Sequence, residues 1–115
     1  GAVRRRLMQI FELSLQLVAD AMPLVRRIGR VDRDLARQLR RSVMSVPQRM
    51  AEGMHSRGGN KSAHFQGAAA SAKETEASLR IAVAAGYVEA DDIAALRDRC
   101  DHVSAAMFKL VRRPR

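Results

Sequence analysis

The chain has 115 residues, of which 47% are apolar and 3% aromatic, and its 21 Lys and Arg against 12 Asp and Glu give a net charge of +9. This length favours one domain covering residues 1–115, and the apolar fraction excludes wholesale disorder. The single cysteine excludes a disulfide framework and a multi-thiolate metal site. No run of consecutive apolar residues approaches the roughly 18 that span a bilayer, so we expect a cytoplasmic protein with no membrane partner.

The first predicted helix, from about Arg4 to Ile28, carries two adjacent apolar stripes. One stripe alternates spacings of three and four residues and consists of Leu7, Ile10, Ser14, Leu17, Ala21, Leu24 and Ile28. The other consists of Phe11, Leu15, Val18, Met22 and Val25. Together they are wider than one seam of a helical bundle requires. Either the helix is deeply buried or its second stripe packs on another subunit. Pro23 lacks an amide donor, so we expect a kink or a restart there.

The second predicted helix, from about Leu35 to Glu52, follows a break over Gly29–Asp34 in which Asp32 or Asp34 is the expected N-cap. Apolar residues project to one side of this helix. Arginines project to the other side at spacings of i, i+4, i+7 and i+8, namely Arg33, Arg37, Arg40 and Arg41. The pattern predicts an amphipathic helix with a cationic outer face.

A Gly-rich stretch, Gly53–Lys61, precedes the third predicted helix, which begins at Ser62 as its N-cap and ends at Ala85 before a Gly86 cap. One face of this helix is apolar except for Glu76, which we expect to be partly buried beside a cationic partner. The adjacent face is built of small residues, which permit close approach of a neighbouring backbone.

The fourth predicted helix opens at Asp91 or Asp92 and ends near Val111, with its acids where the helix dipole favours them. It holds a heptad register over Ile93, Leu96, Cys100, Val103, Met107 and Leu110. Four amphipathic helices with short connections predict an all-α, antiparallel up-down-up-down four-helix bundle.

The positive charge is concentrated between Arg26 and Lys61, with ten cations against three anions, whereas the stretch from Glu74 to Asp101 has three cations against seven anions. Further cations lie at both ends, Arg4–Arg6 and Arg112, Arg113 and Arg115. Three interpretations stay open: contact with a polyanion, most often nucleic acid, pairing with acidic helices of the same or a neighbouring subunit, and a solvated surface. The candidate nucleic-acid-binding residues are Arg33, Arg37, Arg40, Arg41, Arg49 and Arg57.

Binding of this kind would depend on phosphate contacts and weaken strongly with salt. The sequence has no zinc-finger spacing, no RNP motif and few aromatic residues on which bases could stack. We therefore expect recognition of the nucleic-acid backbone or its shape, without base-specific readout.

Catalytic and metal sites are not expected. Glu52 and His55 have the Glu-x-x-His spacing of di-iron bundles, but such a site needs two copies and further carboxylates. Cys100 lies on the core seam, where a cysteine acts as a small apolar filler, and no phosphate-loop motif is present. The sequence thus predicts a non-enzyme without cofactor, and bound metal near Glu52, His55 and Glu74 would contradict that prediction.

A family resemblance covers most of the chain. The motifs that carry it are Arg40–Arg41, Ser45–Val46–Pro47, Ala51–Glu52–Gly53, Arg57, Ser71, Glu74, Leu79, Ala82 and Gly86–Tyr87, together with Phe11–Glu12–Leu13 near the start. In these the chain resembles the four-helix-bundle family of 23S rRNA intervening-sequence proteins. It departs from the usual pattern at two places: the family usually has Asn before an Ile-Ala-Glu-Gly run, where this chain has Arg49 and Met50, and it commonly has Gly where this chain has Ala70.

The resemblance implies a bundle that assembles into a ring-like homopentamer without enzymatic activity. The same fold includes the accessory variability proteins of diversity-generating retroelements, which are basic pentamers that bind a reverse transcriptase and nucleic acid. The high positive charge favours that branch, with RNA preferred to DNA. The alternative is an oligomeric protein-interaction scaffold whose cationic face docks on an acidic surface of a partner enzyme.

Overall fold

Four helices follow one another along the chain in the computed structural model, which describes residues 1–112. They are α1 (Ala2–Gly29), α2 (Arg33–Met54), α3 (Gly58–Ala84) and α4 (Ala90–Arg112), with no strand in those 112 residues. α2 packs against α1 and α3, and α4 packs against α3 and α1. The predicted all-α four-helix bundle is confirmed. Arg113 and Arg115, part of the predicted C-terminal charge, lie outside the described residues.

The first apolar stripe of α1 faces the core. All seven of its residues are buried, from Leu7 to Ile28. The heptad positions of α4 are buried as well, except Leu110, which is half-buried near the end of the helix. Burial at spacings of three and four residues places each set on one side of its helix, so both predicted stripes form the seams around which the bundle closes.

The second stripe of α1 stays partly outside the core. Leu15 is 41% exposed, and Met8, one heptad before it, is 50% exposed, while Phe11, Val18 and Met22 are half-buried. This chain alone therefore does not bury the stripe.

An 18-residue window of α1 has a mean hydropathy of 1.2, so by length and composition the helix could cross a membrane. The core helix of a soluble protein, or a signal sequence, can have the same length and apolar composition. α1 is continuous through Pro23 and does not restart there.

The helix ends follow local capping rules. Asp32 is the N-cap of α2 and accepts a hydrogen bond from the Leu35 amide at 2.9 Å. Gly86 follows α3 with a φ of 80°, which suits glycine. The prediction that Ser62 caps α3 is wrong, because the helix already begins at Gly58 and the Lys61 amide bonds to the Arg57 carbonyl. The two adjacent glycines thus do not prevent an additional first turn.

Small residues let α2 and α3 approach each other closely. A Cβ on Gly53 would lie 2.5 Å from Cε1 of Phe65, so only glycine fits beside that ring. Farther along the same seam, Ser45 donates a hydrogen bond to the Ser71 hydroxyl, and Thr75 donates to the Ser42 hydroxyl at 3.0 Å. The small face predicted for the third helix therefore packs on α2 through hydroxyl groups.

Candidate nucleic-acid interface

The acidic residues of α3 and α4 pair mainly with cations that do not belong to α2. Arg27 of α1 contacts Asp92 of α4 at 3.1 Å, and Lys73 of α3 lies 4.0 Å from Asp101 of α4. Arg97 lies 3.3 Å from Glu76, which is 15% exposed, so the predicted cationic partner of Glu76 is present. The acidic part of the chain thus leaves the arginines of α2 without its carboxylates.

All six candidate arginines are exposed. Arg37 lies 3.4 Å from Asp34 in a pair that is open to solvent, and such surface pairs contribute little. Within residues 1–112 the other five, namely Arg33, Arg40, Arg41, Arg49 and Arg57, have no ion pair. Ion pairs among the described residues therefore involve one of the six arginines, and the charge of the other five is available to a partner.

The arginines of α2 point in different directions around the helix. At about 100° per residue, Arg33 and Arg40 lie on one flank, and Arg37 and Arg41 lie near the middle of the exposed face. Arg49 is nine residues beyond Arg40, which places it about half a turn away on the flank that meets α3. The predicted cationic face is thus a broad surface and not one narrow stripe.

Arg49 lies across α3. A Cβ on Gly67 would be 3.3 Å from Cδ, Nε and Cζ of Arg49, so the outer part of the Arg49 side chain rests against the Gly67 backbone. The end of this side chain, including Nε and Cζ of the guanidinium group, thus packs on the neighbouring helix, although Arg49 as a whole is exposed. Arg49 is therefore part of the α2–α3 surface.

An open cleft of about 470 Å³ lies between α2 and α3 on this surface. Its lining consists of Gln38, Arg41, Ser42, Ser45, Glu74, Ala77, Ser78 and Ile81. Arg41 and Glu74 face the same cleft, and among the described residues neither belongs to an ion pair. The cleft thus offers a free cation and a free carboxylate above a floor of serine hydroxyls.

Arg57 lies apart from the arginines of α2, at the end of the bundle where the α2–α3 connection meets the ends of α1 and α4. A cavity of about 510 Å³ there is lined by Arg57 and Lys61 and by apolar residues that include Phe65. Lys61 Nζ is 6.0 Å from the centre of the Phe65 ring. Lys61 was missed among the candidate residues, although its position in the Gly-rich connection beside Arg57 was a usable signal.

Sequence reasoning also missed the cleft residues Gln38, Ser42, Ser45 and Ser78 as site residues. Glu74 stood out as one of the resemblance motifs and beside Glu52 and His55 in the alternative metal site, but not as a nucleic-acid-binding residue. These residues come from two helices, and their spacing within each helix gives no sign that they share a cleft. The available signal was the face of small residues on α3, which predicted a close contact with another helix.

Cys100 and the Glu52–His55 spacing were the other candidate reactive groups of the sequence. Burial raises the pKa of the Cys100 thiol to about 12, so this cysteine is an unreactive part of the core. Among residues 1–112 no three His, Cys, Asp or Glu side chains come together as metal ligands. Glu52 lies 3.9 Å from His64, whereas His55 is the exposed C-cap residue of α2.

Comparison with known proteins agrees with this architecture. A family model described as "23S rRNA-intervening sequence protein" matches residues 6–109. The fold is similar to that of a Bacteroides thetaiotaomicron VPI-5482 protein of unknown function from the S23 ribosomal protein family, with a TM-score of 0.83 and 14% sequence identity. The match covers 90% of this chain and 99% of that one. A search of curated proteins gives no match.

Proposed function

The chain belongs to the 23S rRNA-intervening sequence protein family, and from this premise we propose that it is a non-enzymatic, cytoplasmic accessory protein that binds nucleic acid. The observation that carries the proposal is the set of exposed arginines on α2, of which Arg37 alone forms an ion pair within residues 1–112. Unpaired guanidinium groups on one broad surface attract phosphates and release counterions when they bind them. RNA is preferred to DNA in this proposal.

Self-association is the second part of the proposal. The helices run up-down-up-down, in keeping with their connections of three to five residues and with the pairing of Arg27, near the end of α1, with Asp92, in the first turn of α4. The half-exposed stripe of α1 around Leu15 then packs on a second copy, because an apolar stripe at heptad spacing gains stability when it leaves water. Repetition of this contact closes a homopentameric ring.

The biological role that we propose is that of an accessory variability protein in a diversity-generating retroelement, binding a reverse transcriptase and its template RNA. The strong positive charge of the chain, +9, supports this role because an accessory of mutagenic copying must hold a polyanionic template. A reverse-transcriptase gene and a template/variable repeat pair beside the gene for this chain would support it further. Their absence would favour another role within the family.

Fluorescence anisotropy with a labelled single-stranded RNA tests nucleic-acid binding. We expect affinity to fall steeply with salt, and the double variant Arg37→Glu plus Arg41→Glu to flatten the dependence of log K on log salt by about 1.4, or about 0.7 for each lost phosphate contact. The control is Arg80→Glu plus Lys109→Glu, which makes the same charge change at exposed residues outside α2. Binding that ignores salt, or equal losses in both variants, would contradict the proposal.

The alternative function is an oligomeric protein-interaction scaffold, favoured by the exposed apolar residues Met8 and Leu15 of α1. Pull-down of a reverse transcriptase or another enzyme that survives nuclease treatment would favour the scaffold. Loss of the same complex on nuclease treatment would favour a shared nucleic acid.

A further inference from the structure

We infer that the α2–α3 cleft is a ribonucleotide site in which Glu74 accepts a hydrogen bond from a ribose 2′-hydroxyl while Arg41 contacts a neighbouring phosphate. The inference rests on the nucleic-acid binding proposed above and deepens it, because it assigns the preference for RNA to one side chain. Glu74 is a specificity residue in this view and contributes little to affinity for DNA.

The first argument is the charge of the cleft. A surface that only attracts phosphates gains nothing from a carboxylate at its centre, since Glu74 repels the ligand that Arg41 attracts. Both side chains line the cleft and neither has an ion-pair partner among residues 1–112. A ligand that fits both must present an anion and a hydrogen-bond donor close together. A ribonucleotide does so with its phosphate and its 2′-hydroxyl, and the 2′-hydroxyl is the group that distinguishes RNA from DNA.

The second argument is the floor of the cleft. Ser42 and Ser45 are already engaged in the hydroxyl contacts with Thr75 and Ser71. Ser78 also lines the cleft and is 6% exposed. Its hydroxyl is not among the buried polar atoms that lack a partner, so it is open to the cleft, where it can donate a hydrogen bond to a ligand or accept one from it.

The third argument is the extent of the surface beside the cleft. Ile81, at the rim, is 52% exposed and gives a sugar or base an apolar surface. Arg49 lies eight residues beyond Arg41 on α2, which is about 12 Å along the helix axis, and it rests across α3 at Gly67. Arg49 can therefore contact the strand beyond the nucleotide in the cleft.

The test compares three oligonucleotides of one sequence, as RNA, as 2′-O-methyl RNA and as DNA, by anisotropy at fixed salt. For the unaltered protein we expect RNA to bind about tenfold more tightly than the other two, which is the size of one hydrogen bond to a charged group. We expect Glu74→Ala to weaken RNA binding and so to bring the ratio of RNA affinity to DNA affinity near one. Ser78→Ala weakens RNA binding with little effect on DNA, and Asp98→Ala, an exposed acid of α4, leaves the ratio unchanged.

Three outcomes would overturn the inference. If Glu74→Ala strengthens RNA and DNA binding equally, the carboxylate acts only by repulsion. If the unaltered protein binds all three oligonucleotides equally, or if Glu74→Ala leaves the ratio of RNA to DNA affinity unchanged, the cleft is not a ribonucleotide site. In these cases nucleic-acid binding itself stands, whereas failure to bind any oligonucleotide would overturn the proposed function as well.

Discussion

The Tyr87 hydroxyl donates a hydrogen bond to Oδ2 of Asp32 at 3.0 Å, across 55 positions of sequence. The other oxygen of the same carboxylate, Oδ1, accepts the Leu35 amide at 2.9 Å and caps α2. One aspartate thus joins the α3–α4 connection to the α1–α2 connection and orients the helix that carries most of the candidate arginines. The Gly86–Tyr87 motif, quoted above for the family resemblance, therefore fixes one end of the bundle.

The Tyr87–Asp32 contact predicts an altered titration of Tyr87. The hydrogen bond to Asp32, and the negative charge of that carboxylate, raise the pKa of Tyr87 above its ordinary value of 10.0. Tyr87 is the only tyrosine of the chain, so absorbance of the phenolate at alkaline pH reports this residue alone. We expect Asp32→Asn to return the midpoint of the Tyr87 titration toward pH 10.0, because the amide carries no charge. Equal midpoints in the two proteins would contradict the contact.

The same contact predicts a pH dependence of stability. Because the pKa of Tyr87 is raised in the fold, its contribution is full below pH 10.0 and is lost as pH rises through the folded value. Because the Leu35 amide, and next the Tyr87 hydroxyl, lower the pKa of Asp32 below 3.8, its contribution is present above that pH and is lost as pH falls through the folded value. We expect Tyr87→Phe to lower the urea midpoint at pH 7 and to reduce the alkaline loss, as measured by circular dichroism. An unchanged alkaline loss would contradict this assignment.

A methyl group at Gly53 tests the close approach of α2 and α3. Its Cβ would lie 2.5 Å from the ring of Phe65, which is buried, so we expect Gly53→Ala to destabilise the protein by about 1–2 kcal/mol despite the better helix propensity of alanine. Gly59→Ala is the control, because a Cβ there meets no atom within 4 Å and we expect a gain of about 0.5–1 kcal/mol. Urea unfolding measures both, and a stabilising Gly53→Ala would contradict the packing.

The pair of Arg97 and Glu76 predicts unequal costs for two similar changes. Arg97→Met removes the partner of a carboxylate that is 15% exposed, and we expect a loss of about 1–3 kcal/mol because a partly buried charge is left without its ion pair. Lys73→Met removes the partner of Asp101 in a pair with both side chains exposed, for which we expect less than about 1 kcal/mol. Equal free energies of unfolding for the two variants would show that burial of Glu76 is unimportant.

The exposed stripe of α1 predicts an effect on oligomeric state. Native mass spectrometry of the unaltered protein should give five copies of the 12.7 kDa chain, and Leu15→Glu should give monomers, because a charge in an apolar interface loses its hydration. Val31→Glu, in the exposed α1–α2 connection, is the control and should keep the five-fold mass. If the unaltered protein is a monomer, or if the Leu15→Glu variant still has the mass of five copies, this stripe is excluded as the interface.

Much of the fold could be predicted because it depends on regular spacing and on local chemistry. The buried stripe of α1 repeats along the helix, so burial of Leu17 or Ala21 follows from its position in the pattern. The Asp32 cap and the Gly86 turn are decided within a few residues of themselves. The first turn of α3 was missed because Gly58 and Gly59 are typical of a break, whereas here they continue into the helix.

The candidate site was only partly predictable. Exposure of Arg40 and Arg41 followed from the helical pattern, but their lack of ion pairs with other described residues depends on where the acids of α4 lie. Asp92 pairs with Arg27 and Asp101 with Lys73, and no spacing along the chain indicates those choices. The cleft needs Arg41 of α2 to face Glu74 of α3, which only the packing of two helices decides.

By itself the sequence determined four amphipathic helices, the two apolar stripes of α1 and an excess of arginine in α2, because hydrophobic periodicity and net charge are properties of neighbouring residues. Tertiary structure alone decided which carboxylates of one helix neutralise cations of another, and it brought Arg41, Glu74 and the Ser78 hydroxyl to one cleft. These contacts join residues far apart in the chain, since they depend on the rotation and separation of whole helices.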